Sequence, residues 1–390
     1  MQSSWSPRPQ APGNGPLFRL LRRADGSEAR LGILDTRHGP VPTPVFMPVG
    51  TLGAIKGLEA ADLEALGAGI SLANAYHLML RPGPETVAEL GGLHAFAGQR
   101  GALLTDSGGY QVFSLAAGTE VDEDGVTFRS HLDGARVRLT PERLTAVQEA
   151  LGPDIAMVLD QCPPGLADVA AVQVACARSS RWARRCLDAR RRADVRWFAI
   201  VQGGTHAELR RSHAEEIGQL PCDGFAIGGI SVGESTADIR RVVALTAPLL
   251  PDQRPRYLMG GGTPHDLVHG VAAGIDMFDC VMPSRHARNG QIFVAGGRIN
   301  LRNRAHQRDP RPLCESCSCS TCQRHSRAFL RHLMMAGELS YHRLATMHNL
   351  SFYLALMRRL RAAIAANAFD PAAELQALGP ERANLAATSS

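Results

Sequence analysis

The chain has 390 residues, 45% of them apolar, 20% charged and 5% aromatic. That composition excludes a disordered or fibrous polymer and leaves room for one large domain with an appendage. The net charge is +5, carried almost wholly by arginine since Lys56 is the one lysine; it is spread along the chain without a polybasic tail, so it permits a polyanionic partner without demanding one.

Residues 1–16 are rich in Pro, Ser and Gly, and no apolar run in the chain approaches bilayer length, so a soluble, unexported, cytoplasmic protein is expected. Residues 1–40 read as a lead-in segment. From about residue 41, eight short apolar runs alternate with segments of helical periodicity. The runs are Thr43 to Val49, Gly69 to Ala73, Ala102 to Thr105, Asp154 to Leu159, Trp197 to Val201, Gly224 to Ile227, Arg256 to Met259 and Gly274 to Phe278. Each is apolar at consecutive positions, as parallel strands covered on both faces are. Helix signals lie between them at Glu59 to Leu66, Pro84 to Leu90, Pro141 to Ala150, Ala167 to Ala189, His206 to Ile217, Ser235 to Leu249 and Pro264 to Ala273. Eight strand-then-helix units predict an α/β fold, a (β/α)8 TIM barrel over 41–302; a doubly wound open sheet is the alternative, because sequence order does not establish closure.

Two departures stand out. Phe113 to Leu139 is longer than a βα loop requires and predicts an inserted hairpin beside the barrel mouth. Residues 303–370 form a second unit, with an irregular cysteine-rich stretch followed by helical segments at Arg324 to Gly337 and Asn349 to Ala366; 371–390 read as a tail.

The nine cysteines are unevenly placed. Cys317, Cys319 and Cys322 fall within six positions, and His348 follows at what reads as the start of a helix. Three thiolates and an imidazole make a closed tetrahedral set for one structural Zn2+, with no open position for chemistry. Cys314, His325, His332 and His342 compete for a ligand place. The scattered remaining cysteines suit a reducing compartment better than a disulfide framework.

Chemistry in such a barrel sits at the carboxyl ends of the strands. The third predicted strand ends at Asp106, the fourth at Asp160, the fifth at Gln202, the sixth at Gly228-Gly229, the seventh at Met259-Gly260 and the eighth at Asp279. Carboxylates held close together push their pKa values apart, which lets one act as nucleophile and another as acid, the division of labour used in glycosidic cleavage. Asp160 and Gln202 also match the edge of a purine-like base, Gly229 leaves a backbone N–H unobstructed, and Tyr110 and Met259 would sandwich a flat ring. Taken singly, each Asp has about even odds of merely capping the next helix. The set as a whole carries the functional reading.

These stretches closely resemble the queuine tRNA-ribosyltransferase family, the tRNA-guanine transglycosylases. The matching residues are Thr105 to Gln111, Phe128 to Gly134, Val201-Gln202-Gly203, Gly228-Gly229 with Val232-Gly233-Glu234, Arg256 to Gly260, Asp276 to Val281, Arg285 to Gly290 and the Cys317, Cys319, Cys322, His348 set. The resemblance implies a zinc-bearing barrel that exchanges the wobble guanine of GUN-anticodon tRNAs (Asp, Asn, His, Tyr) for a 7-deazaguanine. It implies Asp279 as nucleophile on ribose C1′ and Asp106, beside Asn74, as general acid/base. It further implies Asp160, Gln202 and Gly229 on the base edge, Tyr110 and Met259 stacked on the base, Arg285 and Arg288 facing the anticodon loop, and a homodimer. Val232 matches the bacterial pattern, which implies 7-aminomethyl-7-deazaguanine (preQ1) as the incoming base. Gln161 stands where that pattern has Glu, Ala75 where it has Thr, and Ser231 where it has Ala, which bears on fine substrate choice. A non-catalytic tRNA-binding subunit of the same fold is the second reading, disfavoured because Asp106 and Asp279 are both present. A metal-dependent barrel hydrolase is the third, disfavoured because no histidine set gathers at the strand ends.

Overall fold

A computed structural model describes residues 15–115, 117–165 and 167–381. Its centre is one sheet of eight parallel strands: β1 (Val45–Pro48), β2 (Ile70–Ala73), β3 (Ala102–Thr105), β4 (Ile155–Met157), β5 (Arg196–Val201), β6 (Gly224–Ile227), β7 (Arg256–Leu258) and β8 (Met277–Cys280). Each strand is hydrogen-bonded to the next, β8 returns to β1, and an isolated parallel bridge between Val49 and Leu72 joins β1 to β2. The sheet therefore curls into a TIM-like barrel, and the open doubly wound alternative falls because no strand order reverses.

The alternation of side chains explains why both faces are apolar. Val45, Met47, Ile70, Leu72, Ala102, Leu104, Ile155, Met157, Phe198, Ile200, Ala226, Tyr257 and Met277 fill the interior. Phe46, Leu103, Ala156, Trp197, Phe225, Leu258 and Phe278 point outward into the helix layer. The interior is sealed at the amino-terminal end by an element that the sequence reading passed over. Phe18–Arg23, Arg30–Thr36 and Gly39–Thr43 form a three-stranded antiparallel sheet, whose Phe18, Leu34 and Val41 join the barrel interior. Arg30, fully buried, donates to Asp276 Oδ2 at 2.5 Å just before β8 and so ties this floor to the barrel. The mouth is left as the open end.

Three boundaries differ from expectation. The eighth strand starts at Met277, because Ile275 N–H still donates to the Gly270 carbonyl at 3.0 Å and Gly274 turns at φ +90°, closing the preceding helix. The insertion after β3 is a short helix, Gly109–Leu115, followed by three antiparallel strands, Ala117–Val121, Val126–Arg129 and Arg136–Leu139, one more than a hairpin has. The last long helix runs Leu339–Ala365, so His348 lies in its second quarter and not at its start. Its first turns carry no continuous apolar stripe, which hid them from periodicity.

That helix is anchored across the barrel: Arg361 donates to the Pro44 carbonyl at 2.7 Å, Tyr353 to the Gly262 carbonyl at 2.7 Å, and Asn349 to the Pro283 carbonyl at 3.0 Å. Among the described residues no helix is long and apolar enough to cross a membrane.

Candidate active site

The third, fourth and eighth strands deliver Asp106, Asp160 and Asp279 to the open end of the barrel, each held by a different set of donors. Asp106 follows β3 and is almost fully buried; its Oδ1 accepts from Ala75 N–H at 2.8 Å and its Oδ2 from the Asn74 amide. Gln148, reaching from the helix Pro141–Leu151, donates to the Asp106 carbonyl at 2.7 Å and the Met157 carbonyl at 3.3 Å, which locks the ends of β3 and β4 together. Burial pushes the Asp106 carboxyl up to about 6, the nearby Asp279 charge adds to this, and its amide donors oppose it.

Asp160 is bonded through both oxygens. Ser107 Oγ donates to Oδ1 at 2.6 Å and Gln202 Nε2 to Oδ2 at 2.6 Å. Burial also pushes its carboxyl up to about 6 against these two donors. The other half of the Gln202 amide is different: Oε1 is fully buried and has no hydrogen-bond partner among the described residues. It faces Gly229, where any Cβ would collide with it and where φ is +63°, so glycine is required on both counts. A buried acceptor without a donor calls for an explanation, and an incoming N–H group is one.

Asp279 lies inside β8 opposite Met47. Its Oδ1 accepts from the Tyr257 hydroxyl at 2.6 Å and from Gly260 N–H at 2.8 Å. Among the described residues no donor reaches Oδ2. Burial raises the Asp279 pKa and the two donors pull it back.

Tyr110, on the short helix Gly109–Leu115 after β3, is 51% exposed, and Met259, directly after β7, is half-buried. Arg285 and Arg288 belong to the helix Met282–Arg288 that leaves β8. Arg285 is exposed, Arg288 is half-buried with an unpartnered Nη1, and neither forms an ion pair among the described residues. Gln161, one of the departures noted above, accepts from Arg178 Nη1 at 2.6 Å, and the same guanidinium donates to Glu123 of the inserted sheet at 2.9 Å.

A second constellation lies behind the mouth. Cys317, Cys319, Cys322 and His348 bring their ligand atoms within 4.8 Å of one another. Nδ1 of His348 is 3.2 Å from Cys322 Sγ and 3.6 Å from Cys319 Sγ, while its Nε2 faces the Phe293 carbonyl at 2.8 Å. A carbonyl on one ring nitrogen leaves the lone pair on the other directed at the thiols, the arrangement a metal-bound imidazole needs. The donor set thus fits a metal ion. Cys314 is not part of it, and its Sγ instead contacts Ser316 Oγ at 3.4 Å; nor do His325, His332 or His342 join it.

The family model for queuine tRNA-ribosyltransferase matches residues 25–377. The chain belongs to the queuine tRNA-ribosyltransferase family. Among relatives of that name, one from Sorangium cellulosum is 55% identical over 351 residues, covering 90% of this chain and 89% of the relative. Another from Solidesulfovibrio magneticus is 50% identical over 371 residues, covering 94% and 99%. One from Bacillus velezensis is 48% identical over 348 residues, covering 89% and 91%. As a queuine tRNA-ribosyltransferase family member the chain is an enzyme, a tRNA-guanine transglycosylase of the pentosyltransferase class.

Several residues that shape this site were not singled out from sequence. Tyr257, Gln148 and Ser107 each donate to one of the aspartates or its backbone. Arg210 and His213 lie on the helix Ala207–Gly218, whose buried stripe is Arg210, His213, Ala214 and Ile217. A charged residue on an otherwise inward-facing stripe is the signal that would have found Arg210.

Proposed function

We propose that this enzyme exchanges the guanine at the wobble position of GUN-anticodon tRNAs for preQ1, in queuosine synthesis, through a covalent ester between Asp279 and the ribose. The observation that carries the reading is the asymmetric solvation of Asp279: both donors sit on Oδ1, and Oδ2 is left as the nucleophilic oxygen. In the first step Oδ2 attacks C1′, the C1′–N9 bond breaks with its electron pair passing to guanine, and Asp106 supplies the proton that neutralises the leaving base. In the second step Asp106 takes the proton from N9 of the incoming base, N9 attacks C1′, and the ester bond to Asp279 breaks. Two inversions at C1′ return the original configuration. A carboxyl poised at about 6 is suited to giving and receiving that proton near neutral pH.

Asp160 and Gln202, linked by their own hydrogen bond, present a carboxylate and an amide to the base edge, with Gly229 beside them and Tyr110 and Met259 against its faces. A base must leave the anticodon stack to reach them. Arg285 and Arg288, without acidic partners among the described residues, are suited to the flanking phosphates. Zn2+ held by Cys317, Cys319, Cys322 and His348 would supply a structural cross-link between the loop after the barrel and the terminal helix, with no role in the bond-making steps. The reading extends by resemblance to a cytoplasmic homodimer.

The test is incorporation of labelled guanine into a GUN-anticodon transcript. Wild type incorporates it and Asp279→Asn does not; exchange by Asp279→Asn at the wild-type rate would refute the mechanism. Competition between preQ1 and guanine settles the base preference, with preQ1 expected to displace guanine from the exchanged position.

A further inference from the structure

Among the described residues three arginines are buried, in the barrel wall and floor, and two of them face carboxylates: Arg30 meets Asp276 and Arg256 meets Asp252. The third, Arg210, is fully buried and pairs with no acid among the described residues. All of its hydrogen bonds go to backbone. Nε donates to the Gly204 carbonyl at 2.8 Å, Nη1 to the Val201 carbonyl at 3.0 Å and Nη2 to the Gly229 carbonyl at 3.1 Å. A buried cation whose hydrogen bonds all go to neutral acceptors is costly, with only the nearby Glu234 charge to offset it, and even with burial lowering its pKa to about 10 it stays charged at neutral pH. The three carbonyls are not arbitrary, however. Val201 precedes Gln202, Gly204 follows it by two residues, and Gly229 is the wall against which the orphaned Gln202 Oε1 rests. One turn along the same helix, His213 Nδ1 accepts the Gln202 backbone N–H at 2.8 Å, and its Nε2 lies 3.2 Å from Ser180 Oγ.

We infer that Arg210 is a positioning residue for base recognition, spacing the Gln202 amide from the Gly229 peptide by gripping the carbonyls on both sides of that gap. It touches neither base nor ribose. The inference rests on the base-exchange reading and goes beyond it by naming what sets the width of the base-reading half of the pocket. A planar fork with several donors suits three carbonyls in fixed directions, and a lysine ammonium cannot reproduce that geometry.

The experiment measures steady-state exchange with Arg210→Met and Arg210→Lys, taking KM for free guanine and KM for tRNA separately, together with the melting temperature and guanine binding by calorimetry without tRNA. The expected result is a rise of about tenfold in guanine KM and Kd for Arg210→Met, the scale of one misplaced hydrogen bond, with tRNA KM changed by less than about twofold. Arg210→Lys falls between Arg210→Met and wild type. A folded variant whose guanine KM is that of wild type, or whose two KM values rise in parallel, overturns the role. Should Arg210→Met not fold, the folded Lys variant decides by the same criterion. Failure of wild type to exchange guanine would instead remove the base-exchange reading itself, whatever the Arg210 variants do.

Discussion

The Tyr257 hydroxyl donates to Oδ1 of Asp279 at 2.6 Å, from the strand next to it in the barrel. Together with Gly260 N–H it stabilises the ionised carboxylate and lowers a pKa that burial raises. Tyr257→Phe removes one of the two donors, so the carboxylate takes up a proton more readily. The acid limb of the kcat/KM profile should move to higher pH, with exchange at pH 7 falling about tenfold for the loss of a hydrogen bond to a charged group. An unmoved acid limb in a folded variant would show that the hydroxyl does not tune Asp279.

Asp279→Asn keeps an acceptor for both Tyr257 and Gly260 while removing the half-buried charge. The wild-type carboxyl has a folded pKa above its unfolded value, so the folded state binds the proton more tightly and the penalty grows as pH rises past the unfolded value. The variant should melt at a higher temperature than wild type at pH 8, and the gap should close as pH falls toward 4. Thermal scans across that range check the sign; a wild type that is the more stable protein at pH 8 would contradict it.

Asp160 is expected to bind the base as a carboxylate, and burial places its titration at about 6. Guanine affinity measured without tRNA should therefore weaken as pH falls through about 6. Asp160→Asn should bind weakly at every pH and show a flatter profile. Calorimetric titrations at pH 5, 6 and 8 distinguish this from a dependence arising in Asp106, whose asparagine variant should retain the pH dependence of base binding while losing exchange.

Removal of the metal should act on structure before chemistry. His348→Ala deletes a ligand whose other nitrogen faces the Phe293 carbonyl, and loss of a structural site is expected to lower the melting temperature by at least about 5 °C. Metal analysis should give one Zn2+ per wild-type chain and less in the variant. Unchanged stability in a metal-free protein would remove the structural role.

The barrel was readable because parallel strands buried on both faces leave runs of consecutive apolar residues, and the three aspartates were readable because they end or close such runs. The floor sheet was not: Phe18–Arg23 reads Phe-Arg-Leu-Leu-Arg-Arg, a bulge between Leu20 and Arg22 breaks its alternation, and its buried Phe18 gains meaning only against Val45, Met47 and their neighbours inside the barrel. Gly274 and Ile275 look like strand in sequence but are hydrogen-bonded as a helix end, so β8 starts later than its apolar run. Three thiolates and an imidazole are legible from chemistry, yet the choice of His348 over His325, His332 and His342 and the exclusion of Cys314 need geometry. Tyr257 and Arg210 sit in segments that look like core, and their importance depends on distances to Asp279 and to the carbonyls around Gln202 that sequence spacing does not encode.

The central claim is tested most directly by quenching wild-type enzyme with a GUN-anticodon RNA in denaturant, digesting it and mapping the adduct by mass spectrometry. An abasic RNA fragment esterified to the peptide containing Asp279, absent from Asp279→Asn, is the expected result. An adduct carried by a different residue would contradict the account.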